Sequence, residues 1–399
     1  MIIPVSIVRK KIDLMSFRKI KWWIYIIFYL FLFIVTACNN KKATDEIVIG
    51  LVSSSTGEDS YYGRSISGGA LLAVEEINSK GGIRGKTIRL VTYDDSSDYR
   101  ATLSAAEDLI LTHNPIAIIG EVVSNRTFAL ITVANRHQIP ILSPAATGSS
   151  LIQKSNYFYR FSFSDSAQAK ALVEMMKSFQ AQSGQETPLT VTVLKDVHSN
   201  YSVGLTEYFR KECEGNFRIL AEIALDDTDS PFKEELDLVS KLKPDVIFLP
   251  LYHKASKELI GMIRERKIKS LIFCGDGILG SHLSDEEIRR FEGVVFCSHH
   301  FVEDSTKELK EFSERYRLYN RSAADELSTL TYDATNLLIL ALEESMKKTD
   351  TPTTKVLIEE LNLINSYKGL TGERKFSQRA GQSEPFLVRI KSQKLEKVQ

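Results

Sequence analysis

The sequence predicts an α/β protein made of two lobes, each built on a parallel-rich β-sheet. At 399 residues the chain exceeds what one hydrophobic core usually supports, so two domains are expected. From Ile47 onward, short apolar runs alternate with helical periodicity, which is typical of βα units. The composition is globular, with 43% hydrophobic and 26% charged residues. Lys+Arg and Asp+Glu both total 51, and nothing indicates a nucleic-acid partner.

The first lobe is predicted from four buried strands and the helices between them. The first strand, "IVIGLV", precedes the helix "ISGGALLAVEEINSK", whose apolar residues recur at helical spacing and which the glycines of "GGIRG" terminate. The following strands are "TIRLVTY", "IAIIG" and "IPIL", with helices around "ATLSAAEDLILTH" and "RTFALITVANRHQ" between them.

The second lobe is predicted from a similar series after "YFYRFSFSD". Its strands are "LTVTVLKD", "FRILAEIAL", "PDVIFLPLY", "SLIFCGDG" and "GVVFCS", again separated by helical patterns. Long helices follow around 308–319 and 327–347, a weaker one spans 355–364, and "PFLVRIKS" is predicted to be a final strand.

Polar loops follow the buried strands in both series. The carboxyl ends of parallel strands meet at one edge of a sheet, where open α/β sheets bind ligands. Hydroxyls and backbone groups in "ILSPAATGSS" either close a turn or face a small polar ligand. Together with tyrosines and one aspartate on other strand-end loops, they can satisfy both charges of a zwitterion.

The N-terminus is predicted to be a lipoprotein signal peptide over 1–37, with a short tether over 38–46. A basic region precedes an apolar stretch too short for a comfortable transmembrane helix, and "VTAC" ends it. This resembles the bacterial lipobox, so Cys38 is the predicted lipidation site and membrane anchor. An uncleaved anchor helix is the alternative, and Met15 is an alternative start.

Signals for enzyme or metal chemistry are poor. The sequence has no GxSxG elbow, HExxH, Walker loop, or GxGxxG before the first helix. "DDSSD" at 94–98 lacks the spacing of a calcium loop, so a helix cap is favoured. His299 and His300 are adjacent and point to opposite faces of a strand, so we expect no metal site there. Cys274 and Cys297 either form a bridge or are buried thiols, the second being favoured.

The order of motifs resembles the leucine/isoleucine/valine-binding family of type I periplasmic solute-binding proteins, the receptors of ABC importers for branched-chain amino acids. The likeness runs from about Glu46 to the C-terminus and includes "IGLVSSSTGEDSYYGRSISGGALLAVEEINSKGGIRGKTIRLVTYDD", "IAIIGEVVSN", "IPILSPAATGSSL", "KPDVIFLPLY", "CGDG", "FEGVVF" and "LTGERKF". The resemblance implies two Rossmann-like lobes joined by three hinge crossovers near Ser164, Ser298 and Gly372. The N-terminal lobe is then 47–164 with 299–371, and the C-terminal lobe 165–298 with 372–399.

The resemblance also assigns groups to an amino-acid ligand. Ser124 and Thr147 would donate to its carboxylate through hydroxyl and backbone N–H. The Ala145 carbonyl and the Thr147 hydroxyl would accept from its ammonium, and Asp276 from the other lobe would complete the ammonium's partners.

Four tyrosines are further candidates. Tyr62 would line the side-chain pocket, and Tyr201 and Tyr252 would cover the ligand on closure, whereas Tyr332 matches more loosely. Each could instead be half-buried packing. Glu121 could point into the pocket and favour a polar or cationic ligand over leucine.

The functional prediction is a lipid-anchored, monomeric, extracytoplasmic binding protein, without cofactor or metal, that closes on an amino acid and docks on an ABC permease. One alternative is a lipoprotein that presents ligand to a separate membrane receptor. Another is an extracellular enzyme using Asp276 with His198 or His253.

Overall fold

The structure, a computed structural model, describes residues 46–226, 232–278, 283–301 and 306–398. The predicted signal peptide, the lipidation site Cys38 and most of the tether lie outside these residues. None of the helices within the described ranges is both long and apolar enough to cross a membrane.

Two sheets form the centres of two lobes. The first sheet has eight strands in the order β11-β12-β13-β5-β4-β3-β1-β2, and the second has seven in the order β15-β14-β10-β9-β8-β6-β7. The first sheet contains β1 (Glu46–Ser53), β2 (Thr87–Asp94), β3 (Ala117–Ile119), β4 (Ile141–Ser143), β5 (Phe158–Arg160), β11 (Ser366–Gly369), β12 (Gly372–Ser377) and β13 (Ala380–Gln382). The second contains β6 (Thr190–Asp196), β7 (Arg218–Leu225), β8 (Val246–Leu249), β9 (Leu271–Cys274), β10 (Val295–Ser298), β14 (Phe386–Lys391) and β15 (Lys394–Val398).

Helices cover both faces of each sheet. Those of the first lobe are α1 (Ser60–Ser79), α2 (Tyr99–His113), α3 (Ser124–His137), α9 (Lys307–Asn320), α10 (Glu326–Lys348) and α11 (Thr354–Leu363). Those of the second lobe are α4 (Asp165–Ser183), α5 (Asn200–Cys213), α6 (Lys233–Leu242), α7 (His253–Glu265) and α8 (Asp285–Arg290). The prediction of two α/β lobes with parallel-rich sheets is therefore confirmed.

The buried strands read as continuous apolar runs because both of their faces are covered. In β3, Ile118 packs with α2 and α3, whereas Ala117 and Ile119 pack on the other face with α1 and α10. Successive strand residues point to opposite faces, so each of these side chains is buried. Fully burying an isoleucine contributes about 1.5–3 kcal/mol.

The chain leaves the first sheet later than predicted. Gly372 was the expected third crossover, but β12 begins at that residue, pairs with β11 as an antiparallel hairpin, and pairs with β13 on its other side. β13 then joins β5 of the first sheet through Ala380 and Arg160. The passage to the second sheet therefore lies between Gln382 and Phe386, so the boundary at 371/372 is wrong.

Cys274 and Cys297 are separate buried thiols. Cys274 pairs in register with Phe296, so these two side chains share one face of the second sheet. Cys297 follows Phe296 and points to the opposite face, where it packs with α4 and α5. The sheet itself separates the two sulfur atoms.

Candidate functional site

The seven ligand residues predicted from the sequence lie around one cavity between the lobes. Its volume is about 20 Å³, which holds roughly one water molecule. The predicted residues that line it are Tyr62, Ser124, Ala145, Thr147, Tyr201, Tyr252 and Asp276, and the others are Val122, Gly277, His299 and Leu327. What these side chains bind stays a prediction.

The cavity is placed by the carboxyl ends of the parallel strands. Ser124 begins α3 directly after β3, and Ala145 and Thr147 follow β4. On the second lobe Tyr252 ends the loop after β8, and Asp276 follows β9. Strand-end loops of the two lobes therefore face each other, as the sequence predicted.

The first-lobe wall is held by a buried ion cluster. The Glu121 carboxylate accepts the backbone N–H groups of Val122 and Val123 at 3.0 and 3.1 Å. Arg126 donates to Glu121 at 3.1 Å and to Asp59 at 2.8 Å. Glu121 thus fixes the start of α3 and does not line the cavity, so the expectation that it could select a polar ligand is not supported.

This cluster contains more acid than base. Asp95 lies 3.6 Å from Arg126, so the two buried carboxylates of Glu121 and Asp95 and the partly buried one of Asp59 share one guanidinium. Burial raises the pKa of Glu121 to about 7, against the opposing effect of Arg126. A proton on Glu121 removes its repulsion with the neighbouring Asp95 and Asp59 carboxylates.

Two tyrosines of the second lobe reach the cavity with neutral hydroxyls. The Tyr201 hydroxyl accepts the N–H of Gly277 at 3.1 Å, and its ring stacks on Tyr252 with 4.9 Å between centroids. Burial raises the pKa of both hydroxyls well above 10. Gly275 has to be glycine here, because a Cβ would overlap the Tyr201 hydroxyl.

Hydrogen bonds cross the cleft and hold the lobes together. The Tyr62 hydroxyl donates to the Gly277 carbonyl at 2.5 Å and accepts the His253 N–H at 3.2 Å. The Ser124 N–H donates to the Tyr252 hydroxyl at 3.1 Å. The structure is therefore a closed form. A molecule the size of an amino acid requires the lobes to separate or these tyrosines to turn.

His299 is the polar residue that the ligand assignment missed. Its Nε2 lies 2.9 Å from Asp276 Oδ2, and the two side chains are 2% and 9% exposed. The imidazole stacks on Phe163 with 4.2 Å between centroids, which fixes the ring plane. The sequence pattern could have predicted this position for His299. It follows β10 as Asp276 follows β9, so both residues lie at the same edge of the second sheet.

Asp276 keeps one oxygen for another donor. Within the described ranges, its buried Oδ1 has no hydrogen-bond partner, while Oδ2 is engaged by His299. Two further buried acids lie near it: burial raises the pKa of Asp165 to about 7 and that of Glu326 to about 8. The charge of Asp276 contributes to both shifts. This side of the cavity therefore favours a cationic donor.

The remaining candidates lie elsewhere. Tyr332 donates to Glu76 at 2.6 Å and does not line the cavity, whereas Leu327 on the same helix does. The histidine beside Asp276 is His299, and neither His198 nor His253 lines the cavity.

The acidic run "DDSSD" forms caps and turns. Asp98 caps α2 by accepting the Ala101 N–H at 2.8 Å, and Asp94 accepts those of Ser55 and Thr56. In the part of the chain that the structure describes, no three or more His, Cys, Asp or Glu side chains are grouped so that they could hold a metal ion.

Comparison with known proteins identifies the family. The profile of the family described as periplasmic binding protein matches residues 46–393. The Leu/Ile/Val-binding protein BraC3 of Rhizobium johnstonii is 24% identical over 304 residues, which cover 75% of this chain and 80% of the relative.

Solved structures share the fold. The branched-chain amino acid transporter substrate-binding protein LivJ of Streptococcus pneumoniae, solved with isoleucine, has a TM-score of 0.76 at 24% identity and covers 88% of this chain and 99% of its own. A solute-binding protein of an ABC transporter from R. palustris, solved with benzoate, has a TM-score of 0.75 at 17% identity and covers 88% and 95%. These proteins are solute-binding proteins, not enzymes. Since the family profile covers nearly all of the described residues, the chain belongs to the periplasmic binding protein family, in its type I two-lobe form.

Proposed function

We propose that this protein is the substrate-binding component of an ABC importer and closes its two lobes around an amino acid, branched-chain or related. The observation that carries the proposal is the convergence of Ser124, Ala145 and Thr147 from one lobe with Asp276 from the other on a single cavity. A zwitterion needs donors at one end and acceptors at the other, because burying either charge unpaired is costly.

The first lobe supplies the groups for the carboxylate. Ser124 presents a backbone N–H at the start of α3, where helix N-termini favour anions. The Tyr252 hydroxyl accepts this N–H in the closed form, and a carboxylate has the same acceptor chemistry. We expect the ligand carboxylate to take over this bond as Tyr252 moves aside.

The second lobe supplies the acid for the ammonium. His299 holds Asp276 Oδ2, which leaves Oδ1 to accept from the ligand together with the Ala145 carbonyl and the Thr147 hydroxyl. A ligand docked on the first lobe reaches this acid only when the lobes close, so hinge closure and charge neutralisation occur together.

The relatives favour an aliphatic ligand without fixing it. BraC3 is described as Leu/Ile/Val-binding and LivJ was solved with isoleucine, but the R. palustris protein with the same fold was solved with benzoate. Val122 and Leu327 give the cavity an apolar wall, which suits a branched side chain.

The site residues and the cellular context are part of the proposal. Acylated Cys38 would hold the protein at the bacterial cell envelope beside its permease, as a monomer. The support is the lipobox-like sequence "VTAC" and a family whose relatives are ABC transporter components.

The test is the shift in unfolding temperature of the full chain, in mild detergent, with L-amino acids, short amides, urea and sugars. Ligand at 100 times its dissociation constant adds about 2.7 kcal/mol of stability. We expect aliphatic amino acids to raise the temperature, and Thr147→Ala and Asp276→Asn to abolish the response. Ser322→Ala, at an exposed position outside the cavity, is the matched control.

A response to another solute alone would reject the amino-acid assignment. A response to leucine that survives both Thr147→Ala and Asp276→Asn would reject the site.

A further inference from the structure

A separate cavity of about 290 Å³ opens at the surface of the first lobe, with an apolar floor and an exposed polar rim. Leu142 of β4, Leu337 of α10 and Leu361 of α11 form its apolar floor. Its volume is close to the lower end of ordinary small-molecule sites. It shares no lining residue with the interlobe site, and Leu337 lies ten residues beyond Leu327 on α10, about 15 Å along the helix axis.

The polar lining of this cavity includes a positive charge. Among the described residues, Arg379 is the one charged residue that lines it, beside the amides of Asn362, Asn365 and Gln378. The Tyr159 hydroxyl donates to Asn362 Oδ1 at 3.0 Å, which leaves the NH₂ of this amide as a donor. The wall therefore offers donors and a cation without an acid.

Arg379 is fixed in place. It lies in the turn between β12 and β13 with a φ of 67°. Its Nη2 donates to the carbonyls of Ile152 and Ser155 at 3.4 and 3.3 Å, and its buried Nε has no hydrogen-bond partner among the described residues. With Nη2 engaged and Nε enclosed by protein, Nη1 is the donor that this guanidinium keeps for a carboxylate.

We propose that this cavity is a second binding site, for a small monocarboxylic acid with a branched or aromatic apolar body. Arg379 and the Asn362 amide pair with the carboxylate, and the leucine floor covers the body. An amino acid is disfavoured because, in the described part of the chain, no acid lines the cavity to meet its ammonium. The site thus differs in ligand class from the interlobe site and does not depend on the function proposed there.

The test is methyl-detected NMR of the full chain, labelled at leucine methyl groups and titrated with isovalerate, isovaleramide, isoamylamine and inorganic phosphate. We expect saturable shifts at Leu142, Leu337 and Leu361 with isovalerate, and at least tenfold weaker binding of the other three probes. Arg379→Leu should weaken isovalerate at least tenfold, Arg379→Lys less, and Asn365→Trp should block the mouth. Arg218→Leu, at an exposed position of the second lobe, is the matched control.

Several results would overturn the proposal. If isovaleramide binds as tightly as isovalerate, the site does not recognise a carboxylate. If inorganic phosphate binds as tightly as isovalerate, the site recognises anions in general and not a carboxylic acid with an apolar body. Shifts confined to Leu327 would place the acid between the lobes, and the lack of any saturable shift would reject the site outright. If Arg379→Leu does not fold, the test depends on Arg379→Lys and Asn365→Trp. An unchanged isovalerate affinity in both of these variants would reject the proposed second site.

Discussion

Removing the Tyr62 hydroxyl should weaken closure of the lobes. This hydroxyl lies on α1 of the first lobe and makes two bonds to the second, donating to Gly277 at 2.5 Å and accepting from His253 at 3.2 Å. Tyr62→Phe keeps the buried ring and deletes both bonds. In an open form water can satisfy the freed groups, so the loss falls mainly on the closed form.

The magnitude follows from the two bonds. Each contributes about 0.5–1.5 kcal/mol net, so the closed form loses about 1–3 kcal/mol. That corresponds to a shift of about 5- to 150-fold in the closure equilibrium. We expect the ligand to displace Tyr252 and to leave both Tyr62 bonds in place, so its dissociation constant should rise by the same factor.

The assay is calorimetric titration of the responding amino acid, with small-angle scattering to follow closure. Tyr332→Phe is the control, since the Tyr332 hydroxyl bonds to Glu76 at 2.6 Å within the first lobe and Tyr332 does not line the interlobe cavity. An unchanged affinity and scattering radius in Tyr62→Phe would refute the reasoning, and so would an equal loss in Tyr332→Phe.

Two substitutions and one chemical probe test the electrostatics and the core. Arg126→Met leaves the acids of the ion cluster uncompensated and should cost about 3–5 kcal/mol in urea unfolding. Burial raises the pKa of Glu326 from 4.5 to about 8, so the folded state keeps a proton that the unfolded state loses. Stability should therefore fall as the pH rises through this window. Glu121 and Asp165, with pKa values raised to about 7, add to this fall, so Glu326→Gln should remove only the part that Glu326 contributes, which in urea unfolding is clearest between pH values of about 7 and 8. Native protein should resist thiol reagents at its buried cysteines until it unfolds, measured by reaction kinetics at Cys213, Cys274 and Cys297.

Controls separate these effects from general destabilisation. Arg136 pairs with Glu107 at a largely exposed position, so Arg136→Met should cost about 1 kcal/mol or less. Glu308 is exposed, and Glu308→Gln should leave the pH dependence intact. A cost for Arg126→Met no larger than for Arg136→Met, the same pH profile after Glu326→Gln, or fast native thiol reaction would each contradict the corresponding prediction.

Much of the fold could be predicted because its strands are buried on both faces. Runs such as "IAIIG" and "PDVIFLPLY" stand out against the helices between them, and the parallel order then places the loops that follow at one edge. Ser124, Thr147 and Asp276 could be brought together on this ground with the family resemblance, although they are far apart in sequence.

The hairpin strands β11 to β13 could not be predicted in the same way. They are short, polar and partly exposed, as "SYKG" and "GERKFS" show, so no apolar alternation marks them. The turn at Gln378 and Arg379 uses left-handed backbone without glycine. As a result the third crossover was predicted about ten residues too early.

The orientations of individual side chains could not be predicted from the sequence either. Glu121 lies beside the site in the chain, yet Arg126 and two backbone N–H groups draw its carboxylate into the lobe. Tyr332 is drawn away by Glu76 in a similar manner. The partner of Tyr332 is distant in sequence, and the partners of Glu121 are close in sequence but are brought to its carboxylate only by the turn into α3, so the local pattern reports neither orientation.

The most direct test of the central claim compares one amino acid with its two half-charged analogues. We would measure by calorimetry the affinity for L-isoleucine, for 2-methylbutylamine, which lacks the carboxylate, and for 3-methylvalerate, which lacks the ammonium. The full chain and its Arg379→Leu variant are compared, so that any 3-methylvalerate bound at the second cavity is recognised by its loss in the variant. The account predicts binding near micromolar, about 8 kcal/mol, for isoleucine and at least 100-fold weaker binding of either analogue at the interlobe site. If either analogue binds between the lobes as tightly as isoleucine, the site does not recognise a zwitterion and the claim fails.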